Sequence, residues 1–146
     1  MALPAFEDGG DLPVGLHRAS LEKVVERFGR GGEQRTRCTR NLVHIYELAK
    51  RTGHLRRFVV FGSYITDKEA PNDVDVILVM DDGFELEEAA LETRGLFDHA
   101  VAGARYGASI FWLKPSVLIG EKLEDFLNYW QTKRDGSLRG IVEITT

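Results

Sequence analysis

Two short apolar runs, Phe58-Val-Val-Phe61 and Val74 to Met80, constrain this chain more than any other feature. Both are dominated by β-branched or aromatic residues and are too brief for an ordinary helix. Each has the pattern of a buried strand. The first runs into Gly62-Ser63, which marks a tight turn at its end. Tyr64 to Asn72 joins the two runs, with room for a short helical turn and a loop containing Pro71.

Helical and strand signals alternate around this pair. Leu21, Val24, Val25 and Phe28 recur at helical spacing behind Ser20, a side chain suited to cap a helix N-terminus, and Gly29-Arg30-Gly31-Gly32 stops the segment. Leu42, Ile45, Tyr46 and Ala49 define a second helical face that ends before Gly53. Both helices are expected on one side of a sheet. Leu86, Ala89, Ala90, Thr93 and Phe97 predict a third helix, Ser109 to Leu113 a strand, and Leu123, Phe126, Leu127 and Trp130 a fourth helix. Gly140-Ile-Val-Glu-Ile144 reads as a last strand at a sheet edge. Residues 1–16, rich in Gly, Pro and Asp, read as an extended leader and a poor place to look for core. The fold class is therefore α/β (α+β), a small mixed β-sheet packed with helices.

A length of 146 residues suits a single domain, 1–146, rather than two. With 43% hydrophobic and 29% charged residues the chain has the composition of a folded globular protein. A formal charge of -4 argues against indiscriminate attraction to nucleic acid and leaves room for a local basic patch. Cys38 is the only cysteine, which excludes an intrachain disulfide and a thiolate zinc cluster and fits a reducing, cytoplasmic setting. The first residues lack the basic start and apolar run of a signal peptide. No stretch approaches the roughly 20 apolar residues of a membrane span, so no membrane partner is expected.

The chemistry gathers at the two runs. Side chains two residues apart on a strand share a face, so Asp73 and Asp75 present neighbouring carboxylates. Like charges that close repel unless a cation lies between them, and hard oxygen ligands suit Mg²⁺, which commonly joins one or two carboxylates to substrate phosphates. Gly62 lets backbone approach a ligand, while the Ser63 hydroxyl and the amides of the turn can hold phosphate oxygens.

This order, Val59-Val-Phe-Gly62-Ser63, nine intervening residues and Asp73-Val-Asp75, resembles the signature of the polymerase-beta-like nucleotidyltransferase superfamily. Over its length the chain is also similar to small prokaryotic nucleotidyltransferase-like proteins of the toxin or minimal type. That wider likeness rests on Leu12-Pro-Val-Gly-Leu-His17, Thr66-Asp67-Lys68 with Pro71-Asn72-Asp73, Ile110-Phe-Trp112, and Arg134-Asp-Gly136 followed by Gly140-Ile-Val142. The resemblance implies the nucleotidyltransferase fold, with Gly62 and Ser63 on the β and γ phosphates of an NTP and with Asp73 and Asp75 as Mg²⁺ ligands and catalytic residues. Lys68, in the loop between the motif halves, is a further candidate nucleotide contact. The implied activity is Mg²⁺-dependent transfer of a nucleoside monophosphate, such as AMP from ATP, to a hydroxyl on RNA, protein or a small molecule. A toxin–antitoxin or defence role goes with it, as does a partner subunit or homodimer contributing the acceptor site that so short a chain has little room for.

One element departs from that signature. The superfamily carries a third carboxylate on a later strand facing the pair, whereas Gly107 to Trp112 contains no Asp or Glu. Asp98, Asp81 and Asp82 are the nearest other acids, and none is obviously placed to help. The alternative is a catalytically degenerate module of the same fold that binds nucleotide or acts through protein contacts. Arg35, Arg37, Arg40, Arg51, Arg56 and Arg57 concentrate positive charge before the first motif strand, and Lys133, Arg134 and Arg139 flank a late turn. Either group could meet phosphate or RNA, or be solvated surface. His17, His44, His54 and His99 show no paired metal-ligand spacing. Phe111, Trp112, Phe126 and Trp130 could stack a base but first of all fit a core.

Overall fold

The two apolar runs pair with each other. In the computed structural model, which describes residues 3–145, Leu55–Phe61 (β2) and Val74–Met80 (β3) lie antiparallel, with Phe61 opposite Asp75 and Phe58 opposite Leu78. Leu16–Ser20 (β1), Ala108–Leu113 (β4) and Ile141–Thr145 (β5) complete one five-stranded mixed sheet in the order β1-β5-β2-β3-β4. β1 with β5 and β3 with β4 are parallel; β5 meets β2 antiparallel.

Helices cover both faces, which is why β3 reads as an almost unbroken apolar run. Leu21–Phe28 (α1) and Glu33–Arg51 (α2) bury Val24, Phe28, Leu42 and Ile45 with Phe58, Val60, Val76 and Leu78 on one face. Leu91–Arg94 (α3), the 3-10 turn Gly95–Phe97 and His99–Tyr106 (α4) flank the same core, with Leu96, Phe97, Ala102 and Tyr106 buried in it. Leu123–Tyr129 (α5) alone closes the opposite face, where Leu127 packs with Val59, Ile77, Val79, Leu113 and Ile141. Ser20 caps α1 by accepting from the Lys23 amide, as its position predicts. No helix among the described residues is long and apolar enough to cross a membrane.

Three expectations are corrected. The helix expected through Leu86 and Phe97 is broken into a 3-10 turn, the single turn α3 and a second 3-10 turn; the regular helix, α4, begins only after Asp98, whose side chain accepts from the Val101 amide. Ala89 and Ala90 are extended there, and the Arg94 guanidinium donates to the Ala89 and Glu87 carbonyls, so a side chain satisfies groups that helix amides would have taken. The last strand, expected at an edge, lies inside the sheet, because β1 pairs outside it. The leader, finally, contributes to the core: Leu12 is 1% exposed, and its carbonyl accepts from the Gly140 amide. Met1 and Ala2 of that leader lie outside the described residues.

Candidate functional site

The turn after β2 and the start of β3 converge on one carboxylate. Gly62 has φ +83° and ψ -166°, a region open essentially to glycine alone. A Cβ built on it would overlap the Asp75 carboxylate and stand 2.9 Å from its Cγ. The glycine is thus required twice, for its backbone and for the space it leaves. Ser63 opens a 3-10 turn, and its carbonyl accepts from both the amide and the hydroxyl of Thr66.

The loop that follows is pinned from behind by Arg35. Its guanidinium, 5% exposed, donates to the carbonyls of Phe28, Tyr64, Thr66 and Lys68. Four carbonyls from separate positions are answered by one rigid fork of donors. Lys68 keeps its side chain exposed and lines a cleft of about 830 Å³ shared with Gly62, Ser63, Asn72 and Asp75.

Across the strands, Phe61, Asp75 and Ser109 form one row of the sheet, so the position facing the aspartate pair is a serine. Burial, and next the charge of Asp73, push the Asp75 carboxyl up to about 6; Arg139, the Ser109 hydroxyl and Arg134 pull it back. Asp73 is half-buried immediately before β3. The pair therefore carries a cost at neutral pH that a divalent cation would relieve. Among the described residues no three His, Cys, Asp or Glu side chains are grouped to hold a metal. The donor set fits Mg²⁺ brought in with phosphate oxygens and water, and does not fit a cage made of protein alone.

The acids nearest in sequence have other partners. Asp81, at the far end of β3, bonds the His54 ring at 2.8 Å; Asp82 accepts from the Ser116 amide; Asp98 caps α4. The early arginines do not reach the cleft either. Arg57 pairs with Glu143 at 2.7 Å and with Glu124, Arg51 with Glu92 at 3.6 Å, while Arg37 and Arg40 stay on the exposed side of α2. The late cations do reach it: Lys133, Arg134 and Arg139 line its wall, carried on a tight turn closed by the Thr132–Leu138 bridge. Asp11, from the leader, holds Lys133 at 3.1 Å and Arg139 at 3.5 Å. Nothing in its sequence context marks Asp11, because its partners are 122 and 128 residues away. Asp135 and Thr132 of the same segment also line the cleft, Asp73 does not, and the far wall is aromatic, with Phe61, Phe111, Trp130 and His99.

The chain belongs to the family described as a family of unknown function, DUF6932, whose model matches residues 4–145. The match takes in both halves of the cleft, from Asp11 to Arg139. No curated protein and no solved structure matches the chain.

Proposed function

We propose that the cleft binds a nucleoside triphosphate together with Mg²⁺ in the manner of the nucleotidyltransferase fold. The observation that carries this reading is the convergence of the Gly62 turn, the Asp75 carboxylate and four basic side chains, Lys68, Lys133, Arg134 and Arg139, on one cleft. Gly62 and Ser63 take the terminal phosphates, Lys68, Arg134 and Arg139 neutralise them, and Asp73 with Asp75 hold the nucleotide-side metal. Bound there, Mg²⁺ supplies charge neutralisation and fixes the phosphate geometry. Ser109, opposite Asp75, brings no third carboxylate to the aspartate pair, so nucleotide binding is the site's best supported property.

A second reading, transfer of a nucleoside monophosphate such as AMP to a hydroxyl acceptor, is favoured by the volume of the cleft that Asp75 lines, about 830 Å³. An acceptor on RNA, protein or a small molecule, or one presented by a second subunit, could enter there. The toxin–antitoxin or defence role and a cytoplasmic setting belong to this reading. Calorimetric titration with ATP in the presence and absence of Mg²⁺, alongside the Asp73→Ala/Asp75→Ala double variant, tests the first reading. Mg²⁺-dependent binding that the double variant loses is the expected result; binding unchanged in that variant refutes the assignment. Incubation with α-labelled NTPs and candidate acceptors then decides between holding the nucleotide and transferring it.

A further inference from the structure

We infer that the aromatic wall of the cleft is a stacking platform for the nucleobase, an inference that rests on the nucleotide reading of the polar end. Trp130 lies 4.9 Å from Phe61 and 4.9 Å from Phe111 between ring centroids, and His99 lies 5.4 Å from Phe111. Phe61, Phe111 and Trp130 form a triangle of rings tilted by 37° to 47° to one another, and His99 extends it beyond Phe111. Ser109 and Phe111 are two residues apart on β4, so the Phe111 ring follows the Ser109–Asp75 row by one pleat, roughly 6.6 Å along the strand. That spacing leaves room for a sugar between a base on the rings and phosphates at the Gly62 turn.

A second aromatic cluster shows what rings look like when they only fill a core. Phe84, Phe97 and Trp112 pack as closely, at 4.8 to 5.7 Å, but Phe84 is 1% exposed, and the Trp112 indole donates to the Phe97 carbonyl. In the cleft, by contrast, Phe111 is 38% exposed and His99 stands open to solvent. Trp130 adds an independent sign. Its indole N–H is buried with no hydrogen-bond partner among the described residues, a desolvation cost that a phenylalanine there would avoid. What an indole contributes in exchange is a broad π-face. Base stacking on such a wall tolerates any base, since every base offers a face.

The test is a set of titrations in Mg²⁺ with ATP, tripolyphosphate and adenosine. Wild-type protein should bind ATP on the order of ten- to a hundredfold more tightly than tripolyphosphate. Phe111→Ala should bring ATP down to the tripolyphosphate level and leave tripolyphosphate binding unchanged, while Phe111→Tyr, which keeps a ring, should behave as wild type. Should Phe111→Ala fail to fold, Phe111→Leu, which keeps an apolar side chain on the strand, should give the same loss. Equal wild-type affinity for ATP and tripolyphosphate overturns the platform and leaves the phosphate end standing. Adenosine binding without tripolyphosphate binding upholds the platform and refutes the phosphate end. No binding of any probe overturns both.

Discussion

Replacing Gly62 by alanine tests the geometry at the centre of the site. The substitution meets two separate obstacles, and the structure assigns a magnitude to each. Holding a non-glycine residue at φ +83°, ψ -166° costs about 1–3 kcal/mol. Forcing a methyl into the space of the Asp75 carboxylate, with Cγ at 2.9 Å, costs about 1–3 kcal/mol more as overpacking. Urea unfolding at pH 7.5 should therefore show Gly62→Ala destabilised by about 3 kcal/mol. The two shares separate in a double-mutant cycle. In an Asp75→Ala background the new methyl meets only the residue 75 Cβ, at 3.2 Å in the present geometry, so the steric share falls and the backbone share stays. The combined variant should be more stable than the sum of the single effects by about 1 kcal/mol or more. A Gly62→Ala penalty under about 0.5 kcal/mol, or strict additivity with Asp75→Ala, would refute the claim that turn and carboxylate interlock.

Further outcomes follow from burial and charge. The Asp75 carboxyl is raised from 3.8 to about 6, so well below pH 3.8 it is neutral in both states, and as pH rises from there to 6 the unfolded chain ionises first. Its stabilising contribution is lost over that window; Asp75→Asn should flatten the change, gain about 2 kcal/mol at pH 7.5, and lose Mg²⁺-dependent nucleotide binding. The check is urea midpoints across pH 4–8. Arg35→Lys cannot reach the loop carbonyls with a fork of donors and should cost about 2–4 kcal/mol by the same assay; a loss below 1 kcal/mol would show the loop holding itself. Leu12→Ala should lower stability by about 2–5 kcal/mol, as for any large aliphatic core residue, and a neutral result would return this part of the leader to the surface.

Much of the sheet is visible in the residues themselves. β2, β3 and β4 fall where β-branched and aromatic runs place them, and α1, α2 and α5 where apolar residues recur at helical spacing. What escapes is set by partners distant in sequence. β1 has five residues, includes a histidine and an arginine, and is a strand only because β5 offers it hydrogen bonds. Leu12 is core because the Gly140 backbone draws it in. The segment from Leu86 to Phe97 has helical apolar spacing, but its two extended alanines and the Arg94 side chain select a broken path. At the site, Gly62, Ser63, Lys68 and Asp75 are legible and do share the cleft, with Asp73 beside Asp75. Of the two readings open for the early arginines, the surface one holds for Arg37 and Arg40, though charge density along the chain does not by itself say which face each side chain takes. Asp11 could be found only by folding the chain.

Pairing of β2 with β5 gives the molecule a long wait during synthesis. β2 is complete at Phe61, yet its β5 neighbour ends at Thr145, more than eighty residues later. At about 5–20 residues per second that interval is several seconds, with a strand edge of Phe58, Val59 and Val60 unpaired on a nascent chain. The Asp11 contacts with Lys133 and Arg139 close in the same late step. A chain stopped before residue 141 therefore keeps that edge of β2 open and leaves Asp75 and the Gly62 turn on a sheet that lacks its β5 strand.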